Sequence, residues 1–281
     1  MGARLFLHLP QLFRMGPFII LTSTIALAFI TLPVCALLVR EMFRNWKRRE
    51  RLQSEIAAAR EVQSALMPAA APRVPGFEIQ AAYLPADEVG GDFYQVLPSR
   101  ANASWILVGD VSGKGLKAAM VVSIVAGAAE AIANQVDCPS AFLAHVNAVL
   151  AGRLNGGFVT CCCVRLEPGG AYTVANAGHV PPYIGGVPLS SEAGLPLGVA
   201  CDANWDTASG FLRTGERLVL VSDGVVEARN AAGELYGFER TRELTTSSSA
   251  TEIADTARAF GQEDDITVIT IERVAEVAHA A

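Results

Sequence analysis

From residue 77 onward the chain alternates between short apolar runs and glycine-punctuated polar stretches, the pattern of strands joined by turns. The runs predict strands at Phe77–Leu84, Asp92–Leu97, Ser104–Val111, Phe158–Glu167, Ala171–Ala175, Arg217–Ser222 and Ile266–Glu272. Longer stretches with apolar residues three and four apart predict helices near Leu116–Gln135, Ser140–Arg153, Gly237–Thr245 and Thr251–Phe260. Strands, then helices, then strands predict an α+β fold of two packed antiparallel sheets flanked by helices, an α-β-β-α sandwich.

The region before residue 77 has a different pattern. From Arg40 to Leu66 it is charged and helical, and Leu52, Ile56, Ala59, Gln63 and Leu66 follow a 4, 3, 4, 3 spacing. That spacing fits the seam of a parallel coiled-coil dimer. It equally fits one amphipathic helix lying on its own following domain. Pro68 stops the helix, and a Pro/Ala-rich connector leads to Phe77. Further upstream, Pro17 to Val39 contains no charged residue, which is long enough to cross a hydrocarbon core of roughly 20 residues. The run is too long for a signal peptide, whose apolar region is shorter. Val34 before Cys35 argues against a lipoprotein site. These residues predict one transmembrane helix, with Pro33 as a tolerated kink. Arg40, Arg44, Lys47, Arg48, Arg49 and Arg51 follow the run, whereas only Arg4 and Arg14 precede it. By the positive-inside rule the anchor is single-pass in the cytoplasmic (inner) membrane, with the following domain in the cytoplasm. The expected organisation is a short N-terminal segment at 1–16, the span at 17–39, a linker helix at 40–67, a domain at 68–274 and a tail at 275–281.

Composition narrows the classes. The chain has 281 residues and a net charge of −6, so no basic field invites nucleic acid. Its mean hydropathy, +0.34, is raised by the local apolar run. Three of the six cysteines, Cys161, Cys162 and Cys163, are consecutive on an expected strand. Neighbours on a strand face opposite sides, so this triplet reads as buried strand and not as a metal site.

Four stretches deliver an aspartate to the end of an apolar run: Gly90-Gly91-Asp92-Phe93-Tyr94, Gly109-Asp110-Val111-Ser112-Gly113-Lys114-Gly115, Ser222-Asp223-Gly224 and Asp264-Asp265-Ile266-Thr267. Carboxylates at strand ends next to glycine sit on rigid backbone with space beside them. Converging, they would repel one another unless a cation lay between them, and Mg2+ and similar hard ions take such oxygen ligands. The pattern points to a metal-dependent hydrolase. The first stretch is not a cyclase GGDEF motif, because Phe93-Tyr94 replaces the acidic residue. The second is not a P-loop, since three residues instead of four separate Gly109 from Gly113-Lys114 and Gly115 follows the lysine. Lys114 reads as a surface loop residue before a phosphate contact.

In this order, with Ala59-Arg60-Glu61-Val62-Gln63-Ser64-Ala65-Leu66-Met67-Pro68 upstream and Asn176-Ala177-Gly178-His179, Gly194-Leu195-Pro196-Leu197-Gly198-Val199 and Ser222-Asp223-Gly224-Val225-Val226-Glu227-Ala228 downstream, the motifs resemble those of the SpoIIE/RsbU-type serine phosphatases. That group is a bacterial branch of the metal-dependent protein phosphatase (PPM) superfamily. The resemblance covers about Ala58 to Arg273. It implies that Asp92, Asp110, Asp223, Asp264 and the backbone carbonyl of Val111 ligate metal, with Asp265 the lesser candidate of its pair and Gly91 and Gly224 in support. It implies two Mn2+ or Mg2+ ions that activate a water for attack on a phosphomonoester, with no phosphoenzyme. His179, in a tight turn, reads as a structural histidine before a general acid. Gln95 and Val180 depart from the family pattern, which often has Asp and Asn there. By resemblance the substrate is a phosphorylated regulatory protein, an anti-sigma-factor antagonist of the STAS type. A catalytically weak signalling scaffold and a small-molecule phosphoesterase are the rival readings.

Overall fold

A computed structural model describes residues 16–66, 74–87, 89–189 and 193–275. The expected N-terminal segment up to residue 15, the connector as far as residue 73 and the tail from residue 276 lie outside the described residues. By its internal contacts the chain divides between Glu55 and Ile56.

The first element is one continuous helix, α1 (Gly16–Leu66), with Pro33 inside it. The expected membrane anchor is overturned here. Among the described residues no helix is long and apolar enough to cross a membrane. The helix that carries the run over 17–39 continues into the charged stretch beyond Arg40. The inferred orientation and membrane localisation go with it. The coiled-coil seam is not supported either. Gln63, one of its positions, is buried and donates from Nε2 to the carbonyl of Gly90 in the chain's own domain, at 2.9 Å. The side chains of Leu52, Ala59 and Leu66 lie outside the described residues.

The domain is a two-sheet sandwich. One sheet has the order β1 (Phe77–Leu84), β10 (Ile266–Arg273), β9 (Arg217–Val221), β6 (Tyr183–Ile184) and β7 (Val187–Pro188). The other has β2 (Asp92–Pro98), β3 (Ser104–Val111), β4 (Val159–Leu166), β5 (Ala171–Ala177) and β8 (Thr207–Phe211). Every pairing is antiparallel. Helices α2 (Leu116–Ile132) and α3 (Pro139–Leu150) cover the second sheet, while α4 (Asp223–Val226), α5 (Gly237–Thr245) and α6 (Ala250–Gly261) belong to the side of the first. The helices form because their apolar positions recur on one face: α6 buries Ala250, Ile253, Ala254 and Ala257. Ser249 starts that helix with a capping box to Glu252.

Strand alternation then sorts three cores. Ile106, Val108, Cys162, Val164, Leu218, Leu220, Ile269 and Ile271 fill the space between the sheets. Trp105, Leu107, Cys161 and Cys163 pack under α2 and α3. Val219, Val221, Ile266 and Val268 pack under the other helices. The cysteine triplet therefore splits between two faces, as its alternation requires, and burial holds all three thiols above their ordinary range.

Candidate metal centre

The period of two places the site. On β2 the inward residues are Tyr94 and Val96, so the same parity turns Asp92 inward. On β3 they are Ile106 and Val108, which extends to Asp110. Asp92 and Asp110 are direct cross-strand partners. On β10, Ile269 and Ile271 set the parity that brings Thr267 to the same face; on β4, Cys162 and Val164 do so for Thr160. The apolar inter-sheet core thus gives way at one end to a polar layer. The first sheet contributes Asp223, the residue that opens α4 directly after β9.

Asp92, Asp110 and Asp223 each offer a carboxylate oxygen, and these oxygens lie within 4.8 Å of one another. Asp92 is fully buried, and its Oδ2 accepts a hydrogen bond of 2.6 Å from the Thr267 hydroxyl. Burial, with Asp110 adding to it, holds the Asp92 carboxyl well above the usual carboxylate range. Burial followed by the charges of Asp223 and Asp264 pushes Asp110 up to about 7. Asp223 is raised by burial, then by Glu227 and Asp264. Three crowded, partly desolvated carboxylates are stable together only if protons or cations offset their repulsion.

The donor set fits hard divalent cations: carboxylates with an adjacent carbonyl and no sulfur or nitrogen. Gly91 gives a second sign. A Cβ built on it would lie 2.8 Å from both Asp110 Oδ1 and the carbonyl oxygen of Val111, so these two oxygens converge on one small space kept open by glycine.

Asp264 stands apart from the other three expected ligands. Its Oδ1 accepts from the Asp265 amide at 2.9 Å and pairs with Lys114 Nζ at 3.4 Å. Asp265 turns the other way, buried, as a positioning carboxylate. Its Oδ1 accepts from the Ala86 amide at 2.8 Å, and its Oδ2 from the Gly91 and Asp92 amides at 2.6 and 3.3 Å. It thereby fastens the Gly-Gly-Asp turn to the opposite sheet. Gly224 is the crossing point below: a Cβ there would run into the Asp265 backbone.

His179 is buried in a turn closed by Asn176, whose Oδ1 accepts from the His179 amide and whose Nδ2 donates to its carbonyl. Its Nδ1 lies 2.9 Å from Thr160 Oγ1, and its Nε2, beside the Val221 backbone, completes no hydrogen bond. Burial lowers its pKa to about 4. The imidazole is thus neutral and enclosed, tied through Thr160 to β4 beside the strand it follows.

Sequence reasoning missed Thr267, Ser222 and Gln63 as supports. The Ser222 hydroxyl accepts from the Thr267 amide and donates to the Asp265 carbonyl. The available signal was a hydroxyl inside an apolar strand, Ile266-Thr267-Val268, since a buried polar group needs a partner.

Two titrations oppose each other in stability. The raised Asp110 carboxyl favours the folded state at low pH, and that contribution is lost as pH rises from the unfolded value of 3.8 through about 7. The lowered His179 contributes stability above 6.5 that is lost as pH falls through about 4. Above pH 6.5 only the carboxylate effect remains. In chelator the melting temperature should therefore fall between pH 6.5 and 8, and Mn2+ should flatten the decline; calorimetry at both pH values checks this.

The geometry is that of carboxylates gathered at the end of a two-sheet sandwich, and the sequence matches agree. The profile of the family described as stage II sporulation protein E (SpoIIE) matches residues 100–274. The chain belongs to the SpoIIE family. It is a metal-dependent serine phosphatase of the RsbU and SpoIIE type. Phosphoserine phosphatase RsbU of Bacillus subtilis is 28% identical over 241 residues, covering 80% of this chain and 72% of that protein. The SiaA-PP2C domain of Pseudomonas aeruginosa superposes with a TM-score of 0.67 at 20% identity, over 80% of this chain and 98% of that one. The RsbU and RsbW domains of Rv1364c from Mycobacterium tuberculosis give a TM-score of 0.64 at 24% identity. This SpoIIE-family chain is matched there over 75% of its own length and spans 64% of that structure.

Proposed function

We propose that the protein hydrolyses phosphoserine or phosphothreonine on a bacterial signalling protein, an anti-sigma-factor antagonist of the STAS type. The observation that carries the reading is the approach of three strand-end aspartates from both sheets to within 4.8 Å. Asp92, Asp110, Asp223, Asp264 and the Val111 carbonyl are the proposed ligands of two Mn2+ or Mg2+ ions. Such ions, when bound, supply an activated water and neutralise the phosphoryl oxygens. The chain's own contribution is placement. Asp92 is held by Thr267, the Gly90–Asp92 turn by Asp265, and Asp110 by its pairing across β2. The buried polar layer lets the carboxylates act at low effective dielectric, where their charge counts for more.

The partner assignment draws on the relatives. RsbU is a phosphoserine phosphatase, and the mycobacterial protein combines an RsbU with an RsbW domain. The test is phosphate release by the purified full chain from a phosphorylated STAS-type protein, with Mn2+ and with EDTA. Release that requires Mn2+ is expected. Turnover of aryl phosphate alone would point to a small-molecule phosphoesterase, and absence of any turnover to a binding scaffold.

A further inference from the structure

Lys114 occupies the rim of the carboxylate cluster. Its Nζ pairs with Asp264 Oδ1 at 3.4 Å and donates to the Glu263 carbonyl at 3.3 Å. Asp264 in turn belongs to the charges that act on Asp110 and Asp223. The loop carrying the lysine is anchored on one side, where Ser112 Oγ accepts from the Phe158 amide. Beyond that anchor nothing packs against its two glycines. Gly113 and Gly115 have φ of +98° and +75°, and no atom lies within 4 Å of a Cβ built on either. The lysine and Asp264 side chains are 58% and 52% exposed, so the pair is held weakly. Arg229, the neighbouring cation, is engaged with the Glu263 carboxylate and the Gly233 carbonyl.

A carboxylate oxygen facing an ammonium cannot direct the same lone pair to a metal ion. Lys114 and a cation therefore compete for Asp264. An ammonium released from Asp264 stays on a short loop beside four carboxylates that would repel a phosphoryl group. We propose that Lys114 alternates between two partners: it holds Asp264 until a divalent ion takes that carboxylate, and it then binds a phosphoryl oxygen of the substrate. This rests on the phosphatase reading above and adds to it the residue that meets the phosphate.

The test compares wild type, K114Q and K114R as full chains, by calorimetric titration with Mn2+ and by steady-state hydrolysis of p-nitrophenyl phosphate. K114Q removes the competitor, so Mn2+ affinity should rise by about twofold to fivefold. It also removes a charge-assisted contact to the phosphoryl group, so KM should rise about tenfold while kcat changes less. K114R keeps a cation and should restore KM to near the wild-type value. Unchanged KM in K114Q, or unchanged Mn2+ affinity, would overturn the proposal while leaving Mn2+-dependent turnover by the wild type to support the phosphatase reading. A wild type without Mn2+-dependent turnover would overturn both.

Discussion

Asp223→Asn and Asp110→Asn are each expected to lower Mn2+-dependent phosphate release by about three orders of magnitude or more. Asparagine keeps the shape of aspartate but removes the charge and one of two acceptor oxygens. In this cluster the charge is the functional property. Asp110 and Asp223 stand in a layer where burial already disfavours ionisation; Asp223 raises the cost of ionising Asp110, and Asp110 that of Asp92. Removing one carboxylate relieves that repulsion. Hence the same substitutions should leave the melting temperature in chelator unchanged or higher, the trade of stability against activity seen where charges are held for function. Activity assays with Mn2+ and calorimetry in EDTA, run on the same preparations, separate the two effects. A folded Asp223→Asn protein with full activity would remove the metal site from the reaction.

Much of the fold was legible because its strands obey a period of two and its helices bury one stripe. The predicted strand from Phe77 to Leu84 and the helix from Gly237 to Thr245 coincide with the observed elements. Strands β6, β7 and β8 were not legible. The first two have two residues each, and β8, Thr-Ala-Ser-Gly-Phe, is an edge strand with a polar, largely exposed sequence. Such strands are specified by the neighbour that pairs with them and not by their own pattern.

The candidate site was legible where an aspartate ended an apolar run beside glycine. It was not legible where a residue acts through a partner distant in sequence, as Gln63 does on Gly90 and Thr267 on Asp92. The pairing of Asp264 with Lys114 spans the same kind of distance, and no spacing rule announces it. The apolar run over 17–39 misled for a related reason. A window of uncharged residues reads as a span from its composition alone, whereas none of the described helices meets the length and apolarity a membrane requires.

Gly91→Ala is the sharper test of the site's architecture, because it adds one methyl group and alters no charge. The new Cβ would stand 2.8 Å from Asp110 Oδ1 and 2.8 Å from the Val111 carbonyl. Neither contact is tolerable, so something must shift. The glycine itself has little freedom to do so. Its amide donates to Asp265 at 2.6 Å, and its carbonyl accepts from the Val111 amide at 3.1 Å. The two oxygens must therefore turn away, and they are the donors proposed to share an ion. Mn2+ affinity should fall about tenfold to a hundredfold, the range typical when ligand orientation is disturbed. Hydrolysis should fall with it and recover only in part at saturating Mn2+, since a displaced carboxylate also misplaces what it holds. The strain acts on a turn and leaves the three apolar cores intact, so circular dichroism and the melting transition in chelator should remain those of a folded protein. Calorimetric titration of the full chain with Mn2+ decides the matter: wild-type affinity in Gly91→Ala would mean that Asp110 and Val111 do not ligate together.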